Sequence, residues 1–188
     1  CSEVNINVPE PGWVIKNSNS PSRGITTSGY DLNVTDFEKI IVQYRRKDGD
    51  GAWLTIQDTS TRYNPNWSGF NNNPPPNLPY LQNDFTNFIW ETDGLEDDEY
   101  EIRAVSYCTG DSPTGYSEII SGKIDRQPPA LLGRPQPSDG VYHVGDEISF
   151  TFNKAINCGR VAEIVNVELF NAETDSLINI SFTCHDNK

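Results

Sequence analysis

The strongest constraint on this chain is the run Lys39-Ile40-Ile41-Val42-Gln43-Tyr44-Arg45-Arg46 and the turn Asp48-Gly49-Asp50-Gly51 behind it. Ile40, Val42 and Tyr44 fall on one face of the run, and Gln43 and Arg45 on the other. That period of two is the pattern of a half-buried strand. The turn residues accept positive φ at little cost. Residues 52–57 return as a second strand, so the segment reads as a hairpin.

The rest of the chain repeats this pattern in short pieces. Residues 2–8, 25–32, 87–91, 100–107 and 116–124 are further expected strands. No stretch carries helical periodicity, and 14 glycines and 13 prolines punctuate the runs. Asp125-Arg126-Gln127-Pro128-Pro129 reads as a linker, because proline stiffens the chain and removes ladder donors. Alternation then restarts. Residues 147–153 place Ile148, Phe150 and Phe152 on one face. Residues 165–171 place Val165, Val167 and Leu169 together, and 177–184 place Ile178, Ile180 and Phe182 together. The turn Ala172-Glu173-Thr174-Asp175 joins the last two runs as a hairpin.

The 188 residues allow one large domain or two small ones. A net charge of −13 argues against nucleic acid and against anionic lipid surfaces; solubility is the plainer meaning of the acidity. No apolar run is long enough to span a membrane. The cysteines are Cys1, Cys108, Cys158 and Cys184. None forms a CxxC, and only His143 and His185 could complete a zinc site, so structural zinc is not expected. An even count at wide spacing fits two disulfides and an oxidising compartment; spacing alone does not choose the pairing. The chain opens on a cysteine and contains no methionine, which reads as a processed or excised piece of something longer.

No HExxH, GxSxG, P-loop or GxGxxG motif is present. His143 lies in a turn and His185 near the chain end, where a surface role is the plainer reading. Carboxylates are plentiful, but no deep pocket for paired-acid chemistry is expected in so small an all-β chain. The expectation is a protein that is not an enzyme and needs no metal or cofactor. Asp48 with Asp50, and the cluster Glu96-Asp97-Asp98-Glu99, carry calcium-type ligands; turn chemistry and a solvated corner explain them more simply.

Residues 58–83 break the strand pattern. This stretch holds Tyr63, Trp67, Phe70, Pro74-Pro75-Pro76 and Tyr80 among several asparagines, and long loops in compact domains are often functional. Flat amphipathic rings suit a sugar or a protein surface, so Tyr63, Trp67, Phe70 and Tyr80 are the candidate ligand-binding residues. The competing expectation is a loop folded back over the sandwich edge. Trp13, Trp53 and Trp90 lie in or beside strands and read as core or sheet-face packing. Asn33-Val34-Thr35, Asn66-Trp67-Ser68 and Asn179-Ile180-Ser181 match the glycosylation sequon, as chance matches in an Asn-rich chain also would.

The first part resembles a fibronectin type III domain. Lys39-Ile40-Ile41-Val42-Gln43-Tyr44-Arg45 and Leu95-Glu96-Asp97-Asp98-Glu99-Tyr100-Glu101-Ile102-Arg103-Ala104-Val105 carry the likeness, which covers residues 1–125. The second stretch is similar to the family's turn into its sixth strand, and Tyr100 matches the tyrosine whose hydroxyl closes that corner. The chain departs from the family in lacking a tryptophan in the second strand and in its long 58–83 loop.

Residues 126–188 resemble the start of a bacterial-type Ig-like domain. Pro128-Pro129, then Pro135-Gln136-Pro137-Ser138-Asp139-Gly140 and Gly145-Asp146-Glu147-Ile148-Ser149-Phe150-Thr151-Phe152-Asn153-Lys154-Ala155-Ile156 carry this likeness. Only about sixty residues follow the linker, where a complete sandwich takes about a hundred. The resemblances imply an all-β fold of tandem immunoglobulin-like/fibronectin type III-like β-sandwiches, the second incomplete. Their strand order implies disulfides Cys1–Cys108 and Cys158–Cys184. They imply a non-catalytic structural or adhesion module of a larger secreted or cell-surface protein. Its partners would be the neighbouring domains of the parent chain. The alternative is a glycan- or protein-binding module that uses the 58–83 loop.

Overall fold

The computed structural model describes residues 2–16, 22–49, 51–57, 61–82, 86–110, 112–136, 143, 145–156, 169–171, 173–174 and 176–178. The chain divides into two compact units, Cys1–Gln127 and Pro128–Lys188. The described structure is nearly all β.

Ten strands are found among the described residues of the first unit. They are β1 (Asn5–Val8), β2 (Trp13–Ile15), β3 (Ser22–Ser28), β4 (Phe37–Arg46), β5 (Leu54–Thr55), β6 (Arg62–Tyr63), β7 (Thr86–Glu91), β8 (Asp98–Cys108), β9 (Pro113–Tyr116) and β10 (Ile120–Ile124). One sheet has the order β1-β3-β7. The other runs β2-β10-β8-β4-β5, with β6 on β4 and β9 on β8. Every pair is antiparallel except β2 with β10. The chain crosses from β1 in one sheet to β2 in the other over Pro9–Gly12, with a cis Val8–Pro9 bond.

The two sheets pack face to face because their strands alternate. Along β7, Thr86, Phe88 and Trp90 point inward while Asn87, Ile89 and Glu91 face out. Along β4, Ile40 and Val42 are fully buried, so the inward face expected of this run holds. With Ile25, Phe37, Ile102, Ala104, Ile120 and Ile124 they form one core. Each such aliphatic side chain contributes about 1.5–3 kcal/mol relative to an exposed one. At one end four aromatics fill the space between the sheets. The Trp13 ring stands edge-on to Trp90 at 5.6 Å, and Trp90 contacts Tyr44 at 5.1 Å and Tyr100 at 6.0 Å. β3 carries no tryptophan, so the indole volume of the core comes from β2 and β7.

Several expected elements change at their ends. The run expected at 25–32 is Ser22–Ser28, because Gly29 turns the chain at φ +85°. The run expected at 116–124 is two strands, β9 and β10. Ser117 breaks it: its Oγ accepts from the Ala104 N–H at 2.9 Å and donates to the Glu118 carbonyl at 2.8 Å, so a side chain replaces part of the ladder.

In the second unit the expected hairpin is present as β11 (Leu169–Phe170) and β12 (Leu177–Ile178), in register Leu169↔Ile178. Asn171 Oδ1 accepts from the Glu173 and Thr174 N–H groups and shapes the turn. The run 147–153 is not a continuous strand. It makes only the isolated bridges Leu131↔Phe152 and Gln136↔Ser149. Its facing segment contains Gly133 at φ +81° and Pro135, and neither continues a ladder. Its alternation survives in burial, with Ile148, Phe150 and Phe152 less exposed than their neighbours. The expected positions 165–168 and 179–184 lie outside the described residues.

Candidate functional site

The loop after β6 is built from its base upward between Tyr63 and Leu81. Tyr63 and Tyr80 form a parallel bridge, with Tyr63 N–H donating to Pro79 O at 3.0 Å and Leu81 N–H to Tyr63 O at 2.8 Å. Leu81 then enters the core. The near side is held by Asn64, which is fully buried. Its Nδ2 donates to Val34 O at 3.1 Å and Phe37 O at 3.0 Å, and its Oδ1 accepts from Asn66 N–H. Its own N–H donates to Glu38 O at 2.7 Å, and Ser68 N–H reaches Thr35 O at 2.8 Å. The chain turns over a 3-10 segment, Ser68–Phe70.

The four candidate ligand residues come together there. Phe70 is the centre: Trp67 meets it edge-on at 4.9 Å and 81°, Tyr80 at 6.4 Å and 89°, and Tyr63 at 6.2 Å and 54°. All four are half-buried. The rings therefore pack on one another, and their steep angles give no flat platform. Trp67 Nε1 is shielded from solvent and has no acceptor among the described residues.

A second constellation lies on the outer face of the larger sheet, and the sequence reading did not single it out. The Arg103 guanidinium sits 4.1 Å from the Trp53 ring centroid and 4.6 Å from that of Tyr116. Arg45 also lies over Trp53, at 4.6 Å. Arg45 is neutralised by Glu101, with its Nε and Nη2 at 2.8 and 2.7 Å from one carboxylate oxygen. Farther along, Lys39 lies between Tyr107 at 5.2 Å and Tyr63 at 5.9 Å, and pairs with Glu38 at 2.9 Å. Burial lowers the Arg103 pKa; Tyr116 opposes the shift and Arg45 adds to it. The available signal was the outward face of β8, where Glu101, Arg103 and Tyr107 alternate. What the sequence does not show is that Trp53 and Tyr116, from β5's approach and from β9, fold over that face. Trp53 thus packs on the sheet's outside rather than in the core.

The remaining candidates are structural. Tyr100 is buried, and its hydroxyl donates to Glu96 O at 3.0 Å, four residues back. The acidic corner is neutralised locally. Arg46 pairs with Glu96 and with Asp98 at 3.4 Å, Lys47 with Glu99 at 2.6 Å, and Arg126 with Asp97 at 3.5 Å. The Glu96 hydrogen bond, then that of Tyr100, raises Arg46, and the Glu99 hydrogen bond raises Lys47. Among the described residues no three His, Cys, Asp or Glu side chains gather as a metal site; Asp50 and His185 lie outside them. His143 is exposed, and its N–H donates to Asp146 Oδ2 at 2.7 Å. Asn33 and Asn66 are exposed. Cys108 is disulfide-bonded; Cys1, Cys158 and Cys184, and with them the partner, lie outside the described residues. Among the described residues no helix is long and apolar enough to cross a membrane. No protein-family model matches the chain, and no curated protein matches it.

Proposed function

We propose that this chain is a non-catalytic structural or adhesion module of a larger secreted or cell-surface protein. Its first unit acts as a fibronectin type III-like spacer, and its partners are the neighbouring domains of the parent chain. One observation carries this reading. Three aromatics of the long loop pack around the fourth, Phe70, with Trp67 and Tyr80 edge-on and Tyr63 tilted, and the loop is anchored by the buried Asn64. The rings are committed to packing rather than laid out for a sugar. The Ig-like identity of the second unit rests on the sequence resemblance alone.

The proposed Cys1–Cys108 disulfide is supported by the neighbouring residues. Ser106 Oγ donates to Ser2 O at 2.9 Å in a buried contact, which places the residue after Cys1 two positions from Cys108 along β8. Two disulfides suit an extracellular setting. Non-reducing peptide mapping that joined Cys108 to Cys158 or Cys184 would overturn the pairing.

The competing function is glycan or protein binding through Tyr63, Trp67, Phe70 and Tyr80. Binding of the chain to a glycan array, compared with its Trp67→Ala variant, separates the two. The spacer reading expects no array signal that depends on Trp67. A signal abolished in Trp67→Ala would replace it with the binding reading.

A further inference from the structure

The outer face of the larger sheet holds a cation that no carboxylate among the described residues balances. Arg45, Arg46, Lys39, Lys47 and Arg126 each have a carboxylate within ion-pair distance. Arg103 has none among the described residues, although the chain carries 27 acids to 14 bases. It is also half-buried, and its near neighbour Arg45 has the same sign.

The geometry around Arg103 is specific. Two aromatic rings lie against it, Trp53 at 4.1 Å and Tyr116 at 4.6 Å. Its Nε–H donates to Gln43 Oε1 at 2.9 Å, which fixes the plane of the head group. Stacking satisfies the faces of a guanidinium but supplies no acceptor in its plane. The two terminal nitrogens have no acceptor among the described residues, and the fork they form matches the two oxygens of a carboxylate. Beside it Tyr116 keeps 53% of its surface exposed. A flat, partly apolar ring next to an open fork fits a pyranose ring that carries its own carboxylate: the ring lies on the tyrosine and the carboxylate enters the fork.

We propose that Arg103, flanked by Trp53 and Tyr116, is a binding site for the carboxylate of an acidic polysaccharide. Charge complementarity is local. The net negative charge of the chain acts over distances that physiological salt screens, roughly 8 Å and beyond, whereas the fork acts in contact. The site is distinct from the aromatic loop, and it stands or falls separately from the spacer reading, because Trp67 takes no part in it.

The test uses the full chain and polygalacturonate, a uronic acid polymer, with neutral galactan and polyglutamate as comparators, read by affinity electrophoresis or calorimetry at physiological salt. The intact chain should bind polygalacturonate and not galactan. Arg103→Gln should weaken binding roughly tenfold or more. Arg103→Lys should also weaken it, since an ammonium keeps the charge and loses the fork. Tyr116→Ala, which leaves the guanidinium in place, should weaken it too. Circular dichroism establishes that each variant is folded, and Trp67→Ala should bind as the intact chain does. No binding by the intact chain, or binding unchanged in Arg103→Gln, overturns the proposal. Full affinity in Arg103→Lys overturns the fork. Equal binding to polyglutamate overturns the sugar and assigns the face to an acidic protein partner.

Discussion

The Arg62 guanidinium lies over the Phe88 ring, 5.0 Å from its centroid. Arg62 belongs to β6 in the larger sheet, and Phe88 is a fully buried residue of β7 in the smaller one. Nη2 of the same side chain donates to Asn87 O at 3.3 Å, on the outer strand of the smaller sheet. One side chain thus closes the open side of the sandwich, and burial there lowers its pKa. Arg62→Ala should cost about 1–2 kcal/mol in urea unfolding, through lost stem packing as well as lost charge. Arg62→Met, which keeps an apolar stem, should recover about half of that loss. Equal stability of the intact chain and Arg62→Ala would show that the two sheets do not depend on this contact.

Asn64 offers a sharper case. It is fully buried, and its Nδ2 satisfies two backbone carbonyls while its Oδ1 satisfies one N–H. Asn64→Asp keeps the shape but replaces the donor with a carboxylate oxygen, an acceptor turned towards two carbonyl acceptors. It should cost about 2–4 kcal/mol and more than Asn64→Ala. The loop rests on this residue, so Trp67 should become solvent-exposed at the same time. Denaturation followed by tryptophan fluorescence reads both effects.

Much of this was legible in the residues, and the rest was not for identifiable reasons. The inward faces of β4 and β7 follow from a period of two, which is local. The hairpin turn at 171–176 follows from its side chains. β2 was missed because three residues set no period; only its pairing with β10 makes Trp13 a core residue. The break at Ser117 depends on a bond to Ala104 in another strand, which nothing local announces. The four loop aromatics could be picked out by composition, but whether they lie flat or edge-on is decided by Phe70 at their centre. Asn64 sits among Asn66, Asn71, Asn72, Asn73 and Asn77, and sequence gives no ground for preferring it. Arg103 was hidden because its ring partners come from other strands.

Gly122 and Trp13 are paired in register where β10 runs parallel to β2. The indole lies directly over the glycine, so a methyl group at 122 would occupy the position of the ring. Backbone conformation does not demand glycine there; space does. Gly122→Ala should destabilise the first unit by about 1–3 kcal/mol, because Trp13 cannot shift without disturbing Trp90 at 5.6 Å. The same change at Gly24, which has nothing within 4 Å of the added carbon, should cost less. Paired thermal melts of the two variants check the contrast.

Tyr44 sets an alkaline limit. Burial, and secondarily the charge of Tyr100, raises its pKa above the ordinary 10.0. Above that ordinary value the unfolded chain has lost the phenolic proton while the folded chain retains it. The unfolded state then binds fewer protons, so stability falls as pH rises past about 10 and stops falling above the folded pKa. Tyr44→Phe removes this component. The stability difference between the intact chain and the variant should be flat near neutrality and shift in favour of Tyr44→Phe as pH rises past about 10. A pH-independent difference would mean that Tyr44 ionises equally in both states.

Arg126 governs how the chain leaves the first unit. Its backbone N–H donates to Asp97 Oδ2 at 2.8 Å, and the Gln127 N–H reaches the same oxygen at 3.2 Å. Its guanidinium donates to Leu95 O at 2.9 Å and to Thr92 O at 2.7 Å. Backbone and side chain together bind the last residues before Pro128 to the 92–97 turn, the same turn whose Glu96 carbonyl receives the Tyr100 hydroxyl. A spacer needs a fixed exit, because a loose joint would let neighbouring domains swing. Arg126→Ala leaves two carbonyls without a charged donor, at a cost of about 1–3 kcal/mol. The loss should be concentrated at the exit: thermolysin should cut before the exposed Leu131 and Leu132 several times faster, while the melting of the Trp13–Trp90 core moves little. Asp97→Asn should act more weakly, since an amide oxygen still accepts both N–H groups. If Arg126→Ala leaves the cleavage rate at Leu131 and Leu132 unchanged, the exit is held by the prolines alone.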